Sequence, residues 1–599
     1  MVGMSHRRTF PCLLLVFWVA AAPATFCYGF LNVHERVFRI NRPLQPLLSR
    51  SSLLAATSED LSSYFTVESS NDGPGGGVVH TLTIHKLPGQ EEEPEEDEGD
   101  SDDDKTASTA ETDTDTAATD TDTAATDSDD DSSVNGEKGE EESDTSASTS
   151  NTTAERFVAE PPITIQTGRI GRQAAGAITL TRGDTVLYST AARDSKPKEE
   201  IDFLPLSVEH QERFSSAGLT SGAYNKRDGR PAEHEVLVCR LIDRPLRPLI
   251  AEGWRHETQL LNWVLSYDGI RSCDPLAITA SATALYLSDV PITKPVAAVM
   301  VGYNKDKDKL ILNPTHKQME TSQLQLIVAG TKDAVLMIEG AADFLPEETM
   351  IKAVTFGHTA IQTICEAVEE LGKNLDIVKN FETIKPPIEG LQERVDALMT
   401  ERVDAMYTME GAKAEQGQVM SALSKAVVEE LEEEYPDETT SIKGAFKSLL
   451  RRRMFALAKN KGVRCDGRKF DDIRRLDMEA GFLPRVHGSA LFTRGETQAL
   501  ATATLGGSGM KQKIDKLDGT EQKRFYLQYT FPPSCVGETG RVGAPGRREI
   551  GHGNLAERCV LFLSFSLIFR SKRLRIFLAN TIATDFFSSL KGSIAGATH

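Results

Sequence analysis

The stretch GRIGRQAAGAITLTRGDTVLYSTA, residues 168–191, returns in altered form as GFLPRVHGSALFTRGETQALATAT, residues 481–504. Both contain Thr-Arg-Gly-acid-Thr, at Thr181 to Thr185 and at Thr493 to Thr497. Apolar residues alternate on both sides of a glycine-bearing turn, the period-two pattern of a β-hairpin with one buried face. The likeness continues through IDFLPLSVE (201–209) and YLQYTFPPS (526–534). It then reaches two Gly-Arg loops that run into helical patterns, DGRPAEHEVLVCRLIDRP (228–245) and PGRREIGHGNLAERCVL (545–561). Three elements in the same order predict an internal duplication.

Between the copies, VAAVMVGY, KLILNP, LQLIVAG and AVLMIEG predict short strands, and EETMIKAVTFGHTAIQTICEAVEELG predicts a helix by its 3.6-residue apolar period. Each copy therefore reads as an α+β unit. LQERVDALMTERVDAMY and SALSKAVVEELEEEY are charged and strand-poor, which predicts a small all-helical domain joining the copies. The expected boundaries are a first unit over 155–376, the helical domain over 377–458, and the N-terminal part of a second unit over 459–558.

The chain of 599 residues has a formal net charge of -21, with 67 Lys and Arg against 88 Asp and Glu. An overall acidic chain argues against non-specific nucleic-acid binding by charge alone, but EEEPEEDEGDSDDDK and the DTAATDTDTAATDSDDD repeat hold most of that excess. With no large apolar residue, such a segment cannot offset its own ordering entropy, so 67–154 is expected to be a disordered acidic spacer. Ahead of it, basic HRR and the run PCLLLVFWVAAAPATFCYGF read as a signal peptide over 1–30. Residues 31–66 follow, rich in Arg and Ser, with the composition of a transit peptide. This two-part leader predicts a plastid address reached through the secretory route; the alternative is a mitochondrial presequence. The eight cysteines form no Cys-x-x-Cys pair and no His/Cys cluster, which points away from a cysteine zinc site and from a disulfide framework.

GAPGRREIGHGNLAER, residues 543–558, is the strongest candidate for chemistry. A helix N-terminus offers free amides and a positive dipole end to an anion. Arg548 and His552, four apart, share one helical face, and Arg547 lies beside them. Two guanidiniums and an imidazole suit phosphate oxygens. The plain alternative is an arginine pair held in salt bridges by Glu538 and Glu549. In the first copy Arg230 and His234 are again four apart, with Pro231 aligned to the second arginine. There Lys226, Arg227 and Arg230 could grip a nucleic-acid backbone, with Tyr224 free to stack on a base.

These motifs, together with GRPAEHEVLVCRLIDRPLRPL, RCDGRKFDDIRRLDMEAGFLPRVHGSALFTRGETQALATATLG and FPPSCVGETGRVGAPGRREIGHGNLAER, resemble the polynucleotide phosphorylase (polyribonucleotide nucleotidyltransferase) family over Arg156 to Arg558. The resemblance implies two ribonuclease PH-like units of ribosomal protein S5 domain 2-like fold flanking an all-helical domain, assembled as a homotrimeric ring. It implies a phosphorolytic 3′-to-5′ exoribonuclease acting on single-stranded RNA, with inorganic phosphate as co-substrate and nucleoside diphosphates as products. Arg547, Arg548 and His552 match the family's phosphate- and RNA-binding turn. Tyr224 to Arg227 match its channel constriction, with Asn225 and Lys226 in place of an aromatic and an arginine.

After Arg558 the family continues to a serine-rich loop and to aspartates that hold magnesium. Here the sequence reads CVLFLSFSLIFRSKRLRIFLANTIATDFFSSLKGSIAGATH, so no metal ligand or catalytic residue is assigned and 559–599 is expected to be an aberrant tail on an incomplete second unit. Its apolar run is too short to span a bilayer before RSKRLR, and no membrane partner is expected. A chain so interrupted is expected to be nearly inactive. The alternatives are a non-catalytic RNA-binding subunit of a phosphorylase ring and a hydrolytic exoribonuclease of the same fold.

Overall fold

The computed structural model describes residues 64–88 and 161–585, less 74–76, 199–200, 202, 223, 230, 385–387, 409–412, 437 and 568–576; of 561–567 and 577–585 it gives the backbone. The leader over 1–30 and the acidic repeats lie outside the described residues.

The first copy is built on a seven-stranded sheet of β1 (Phe65–Gly73), β2 (Gly77–Ile84), β3 (Ile163–Thr167), β4 (Gly176–Arg182), β5 (Thr185–Pro197), β6 (Leu206–Glu212) and β7 (His256–Ser266). The strand order is β1-β2-β3-β4-β5-β7-β6, with β6 parallel to β7 and the other pairs antiparallel. The quoted repeat forms the β4–β5 hairpin. Arg182 pairs with Thr185 across Gly183 and Asp184, and Gly183 takes φ +60°, a conformation open to glycine without strain. The alternation is visible in burial: Leu180 and Leu187 are buried while their sequence neighbours Thr179, Thr181, Val186 and Tyr188 are partly exposed.

Helices α1 (Glu233–Leu246) and α2 (Asp274–Tyr286) cover the sheet. All of α2 from Asp274 to Leu285 is buried, which its Ala, Ser and Thr permit, because it is packed between this sheet and a second one. That second sheet, in order β11-β10-β8-β9, consists of β8 (Ala297–Asn304), β9 (Lys309–Leu312), β10 (Leu324–Gly330) and β11 (Val335–Ala342). The short α3 (His316–Glu320) and the long amphipathic α4 (Glu347–Asn374) complete the unit. Helices α5 (Leu391–Thr408), α6 (Lys413–Leu431) and α7 (Thr439–Lys461) follow, with their own core around Val395, Met399, Leu431, Phe446 and Leu449.

The second copy repeats the topology. Strands β12 (Leu476–Ala480), β13 (Gly488–Arg494), β14 (Thr497–Leu505), β17 (Phe525–Thr530) and β18 (Phe577–Asp585) form a sheet in order β12-β13-β14-β18-β17, and β17 runs parallel to β18. Arg494 pairs with Thr497 over Gly495 at φ +65°, as in the first hairpin. The hairpin β15 (Gln512–Lys516) and β16 (Gly519–Lys523) intervenes, its connecting Leu517 buried against the first copy's core. Helix α8 (Arg547–Leu567) packs on β17.

Two expected boundaries are corrected. The segment 67–154 is not all spacer: β1 and β2 extend the first sheet through pairing of β2 with β3, and Leu82 and Ile84 are buried in its core. Their apolar alternation meets a partner beyond the acidic repeats, a contact no local reading supplies. The tail is not foreign throughout from 559 on. Helix α8 continues to Leu567, and β18 inserts between β14 and β17 in the place that β7 holds in the first copy.

Candidate anion-binding site

Each copy starts its main helix with the same device. In the first, Glu235 accepts the amide of Glu212 (2.7 Å) and that of Ala232 (2.6 Å). In the second, Glu549 accepts the amide of Phe531 (2.7 Å) and that of Gly546 (2.6 Å). A carboxylate in the first turn thereby satisfies orphan donors and joins the helix to the preceding strand. Glu549 is committed to these amides, not to an arginine.

The device also fixes how the copies correspond. Glu235 stands where Glu549 stands, so Glu233 and His234 occupy the places of Arg547 and Arg548, and Glu212 that of Phe531. The Pro231 alignment is thereby shifted: α1 begins at Glu233, after Pro231 and the flanking Ala232. Arg230 lies outside the described residues.

At the start of α8 the cations separate into two roles. The Arg547 guanidinium donates to the Val208 carbonyl (2.6 Å) and to Glu209 Oε1 (2.5 Å), both on β6, and so ties the two copies together. Arg548 is exposed, lies 6.0 Å from the centre of the Phe531 ring, and has no hydrogen bond or ion pair among the described residues. His552 stands edge-on to Tyr529 at 5.3 Å. Burial, with Arg548 and Arg240 adding like charge, pulls its pKa down to about 4, so the imidazole is neutral at pH 7.

Arg240, which sequence reasoning missed, comes from α1. A Cβ on Gly551 would lie 2.8 Å from its Nε, so glycine at the fifth residue of α8 admits this guanidinium. Burial first, then the neighbouring Arg244, lowers its pKa from the ordinary arginine value. Nothing local marks Arg240, since it reaches the turn from some three hundred residues earlier in the chain. Three groups thus converge: an unpaired Arg548, a half-buried Arg240 and a neutral imidazole. An anion entering there would lower the repulsion between the arginines and accept their N–H bonds.

The first copy presents the reverse. Its helix start is closed by acids: Glu212 Oε1 lies 3.1 Å and Asp274 Oδ1 3.3 Å from His234 Nε2. Asp274 foremost raises the His234 pKa well above the ordinary value. Burial opposes ionisation of Glu212, yet the adjacent imidazoles of His210 and His234 hold it well below the usual carboxylate range. Tyr224 is fully exposed, Lys226 sits at φ 52°, and the Arg227 amide donates to Asn225 Oδ1 at 3.2 Å. These channel candidates form an exposed turn ahead of α1, apart from the acidic cluster.

A family model described as "3′ exoribonuclease family, domain 1" matches residues 161–291 and again 472–579, the two copies, and its "domain 2" matches 294–360. The chain belongs to the 3′ exoribonuclease family. The second match runs into β18, in line with the strand seen there.

Similar curated proteins carry the name polyribonucleotide nucleotidyltransferase. The one from Protochlamydia amoebophila is 47% identical over 403 residues, covering 67% of this chain and 57% of that protein. A probable chloroplastic form from rice (Oryza sativa subsp. japonica) is 44% identical over 473 residues, covering 70% and 52%, and that of Chlamydia trachomatis serovar D is 45% identical over 397 residues, covering 66% and 56%. The chain spans a little over half the length of the curated relatives it matches.

The carboxylates of α8, Glu549 and Glu557, do not fit the magnesium ion expected of this family. Glu549 has both oxygens on backbone amides, and Glu557 gives one to Lys523 (2.9 Å) and one to the Leu527 amide (3.1 Å). Among the described residues, the group of His, Asp and Glu close enough to share a cation lies in the first copy.

Proposed function

We propose that this chain is a phosphorolytic 3′-to-5′ exoribonuclease unit, a polyribonucleotide nucleotidyltransferase, that binds inorganic phosphate and an RNA 3′ end at the start of α8. The observation that carries this reading is the unpaired Arg548 beside Arg240 and neutral His552. Phosphorolysis brings an attacking phosphate against a scissile phosphodiester, and two such anions share a pocket only if cations without internal partners receive them. Arg547 joins by exchanging Glu209 for the ligand. A phosphate oxygen attacks the phosphorus of the last nucleotide, the 3′-oxygen of the shortened RNA leaves and takes a proton, and a nucleoside diphosphate departs. The chain's own contribution is to bind and orient the anions.

The exposed Tyr224–Arg227 turn, with Arg230 next to it in sequence, would hold the approaching single strand. Three copies in a ring, with the helical domain over 377–458 between the units, fit the same reading. The leader and the chloroplastic rice relative favour a plastid role in RNA degradation and 3′-end processing. Among the described residues no helix is long and apolar enough to cross a membrane.

The test is incubation with an unstructured single-stranded RNA, with and without inorganic phosphate. Nucleoside diphosphates that appear only with phosphate, and slowly, as expected of a chain interrupted after Arg558, are the expected result. Monophosphates formed without phosphate would mean hydrolysis. RNA binding with no product would mean a non-catalytic subunit.

A further inference from the structure

The acidic cluster at the start of α1 is more than a helix cap. Its members come from three elements: His210 and Glu212 from β6, His234 from the first turn of α1, and Asp274 from the start of α2. Ligand atoms of Glu212, His234 and Asp274 all lie within 4.8 Å of one another. Two of the edges are 3.1 and 3.3 Å. Donors at about 2.0–2.1 Å from a tetrahedral zinc ion are about 3.3 Å apart, so little movement would close them on one ion.

A second observation points the same way. His210 is fully buried, and its Nδ1 lies 2.8 Å from the Asn262 side-chain amide. Nε2 makes no well-formed hydrogen bond and faces Glu212 Oε1 at 3.7 Å. A buried ring nitrogen aimed at the cluster without a bonded partner is a polar group that the protein's own side chains leave unsatisfied. Asp274 Oδ1 is likewise buried without a well-formed hydrogen bond. The His234 side chain is 45% exposed, which leaves the cluster a path to solvent.

We infer that Glu212, His234 and Asp274 form a binding site for a divalent transition-metal ion, zinc by its mixed imidazole and carboxylate donors, with buried His210 positioning Glu212 from behind. The ion would fasten β6, α1 and α2 of the first copy at the place where the second copy keeps its anion site open. This site is separate from the proposed phosphate pocket and does not depend on it.

The test uses the full chain, stripped with a chelator and dialysed. Zinc alone is added, bound zinc is measured by elemental analysis, and Co²⁺ serves as the optical probe. One zinc per chain is expected, with a melting temperature raised by roughly 5 °C at saturating metal. Co²⁺ should give visible absorption of tetrahedral strength without a thiolate band. His234→Gln should abolish stoichiometric binding, and His210→Gln should weaken it by about 10-fold or more, the usual effect of losing a supporting group.

Should His234→Gln fold poorly, X-ray absorption of the zinc-loaded parent decides the matter, because the inference requires imidazole and carboxylate donors. It is overturned by less than a tenth of a zinc per chain in excess metal. It is equally overturned by unchanged binding in His234→Gln, or by a thiolate band placing the ion on one of the cysteines.

Discussion

At the start of α1 the first copy meets its helix with Glu212 and Asp274 around His234; at the start of α8 the second copy has Phe531 in the place of Glu212 and leaves Arg548 outward. The backbone device is shared, a glutamate holding one strand amide and one loop amide, yet the charge that surrounds it is opposite. One helix terminus is closed by its own side chains, and the other is left for a ligand. A duplicated fold repeats the positions where chemistry can occur, while a few side chains decide whether each position is filled from within.

The copies also differ in what supports them, and the largest expected effect tests this. Leu260 is fully buried in a first-copy core that spans two sheets, whereas Leu527 belongs to a small cluster with Ala490, Phe492, Ala501 and Val560. Leu260→Ala should cost about 3–5 kcal/mol in urea unfolding, and Leu527→Ala about 2–3 kcal/mol, because a small cluster can collapse onto the gap. Equal losses would remove the distinction.

The shared device should respond alike in both copies. Glu235→Ala and Glu549→Ala each strip the acceptor from two amides, and each should destabilise by about 2–3 kcal/mol by chemical denaturation. A negligible cost at one of them would show that the two helix starts are held differently. The ligand site is sharpened by Arg548→Ala, expected to weaken phosphate binding by about 1.5–3 kcal/mol in calorimetry, with Arg240→Ala close behind. An Arg548→Ala protein with the parent's phosphate affinity would sink the pocket as drawn.

His552 predicts a pH effect limited to the second copy. Its folded pKa, about 4, lies below the ordinary 6.5, so between those values the unfolded chain binds more protons. The stability gained by keeping it neutral is complete above pH 6.5 and is lost as the pH falls toward 4, on the order of 3 kcal/mol. His552→Phe should flatten that part of the stability curve; an unchanged slope would place the titration elsewhere. The smallest effect belongs to the exposed turn of the first copy. Arg227→Ala should lower the slope of log affinity against log salt for single-stranded RNA by about 0.7, one phosphate contact. An identical slope would take Arg227 off the RNA path.

The hairpins were legible because their signal is local: period-two alternation on each side of glycines 183 and 495 admits little else. The β1–β2 pair carries a similar signal but was assigned to the spacer, since its partner β3 lies beyond the acidic repeats. Arg548 and His552 were legible as one face of a helix. The same logic sets Arg547 beside them, but its guanidinium is held by β6, a strand distant in sequence.

By itself the sequence determined the duplication, the α+β class, the helix that opens with two arginines and the family, since each follows from local periodicity or from motifs read in order. Only the tertiary structure decided which arginine is free, that Arg240 joins it, that the repeats correspond through Glu235 and Glu549, and that Glu212, His234 and Asp274 meet. Charges act through space over a few ångströms. Whether a side chain is spent on a neighbour or kept for a ligand is therefore settled by packing between segments hundreds of residues apart, which no local pattern encodes.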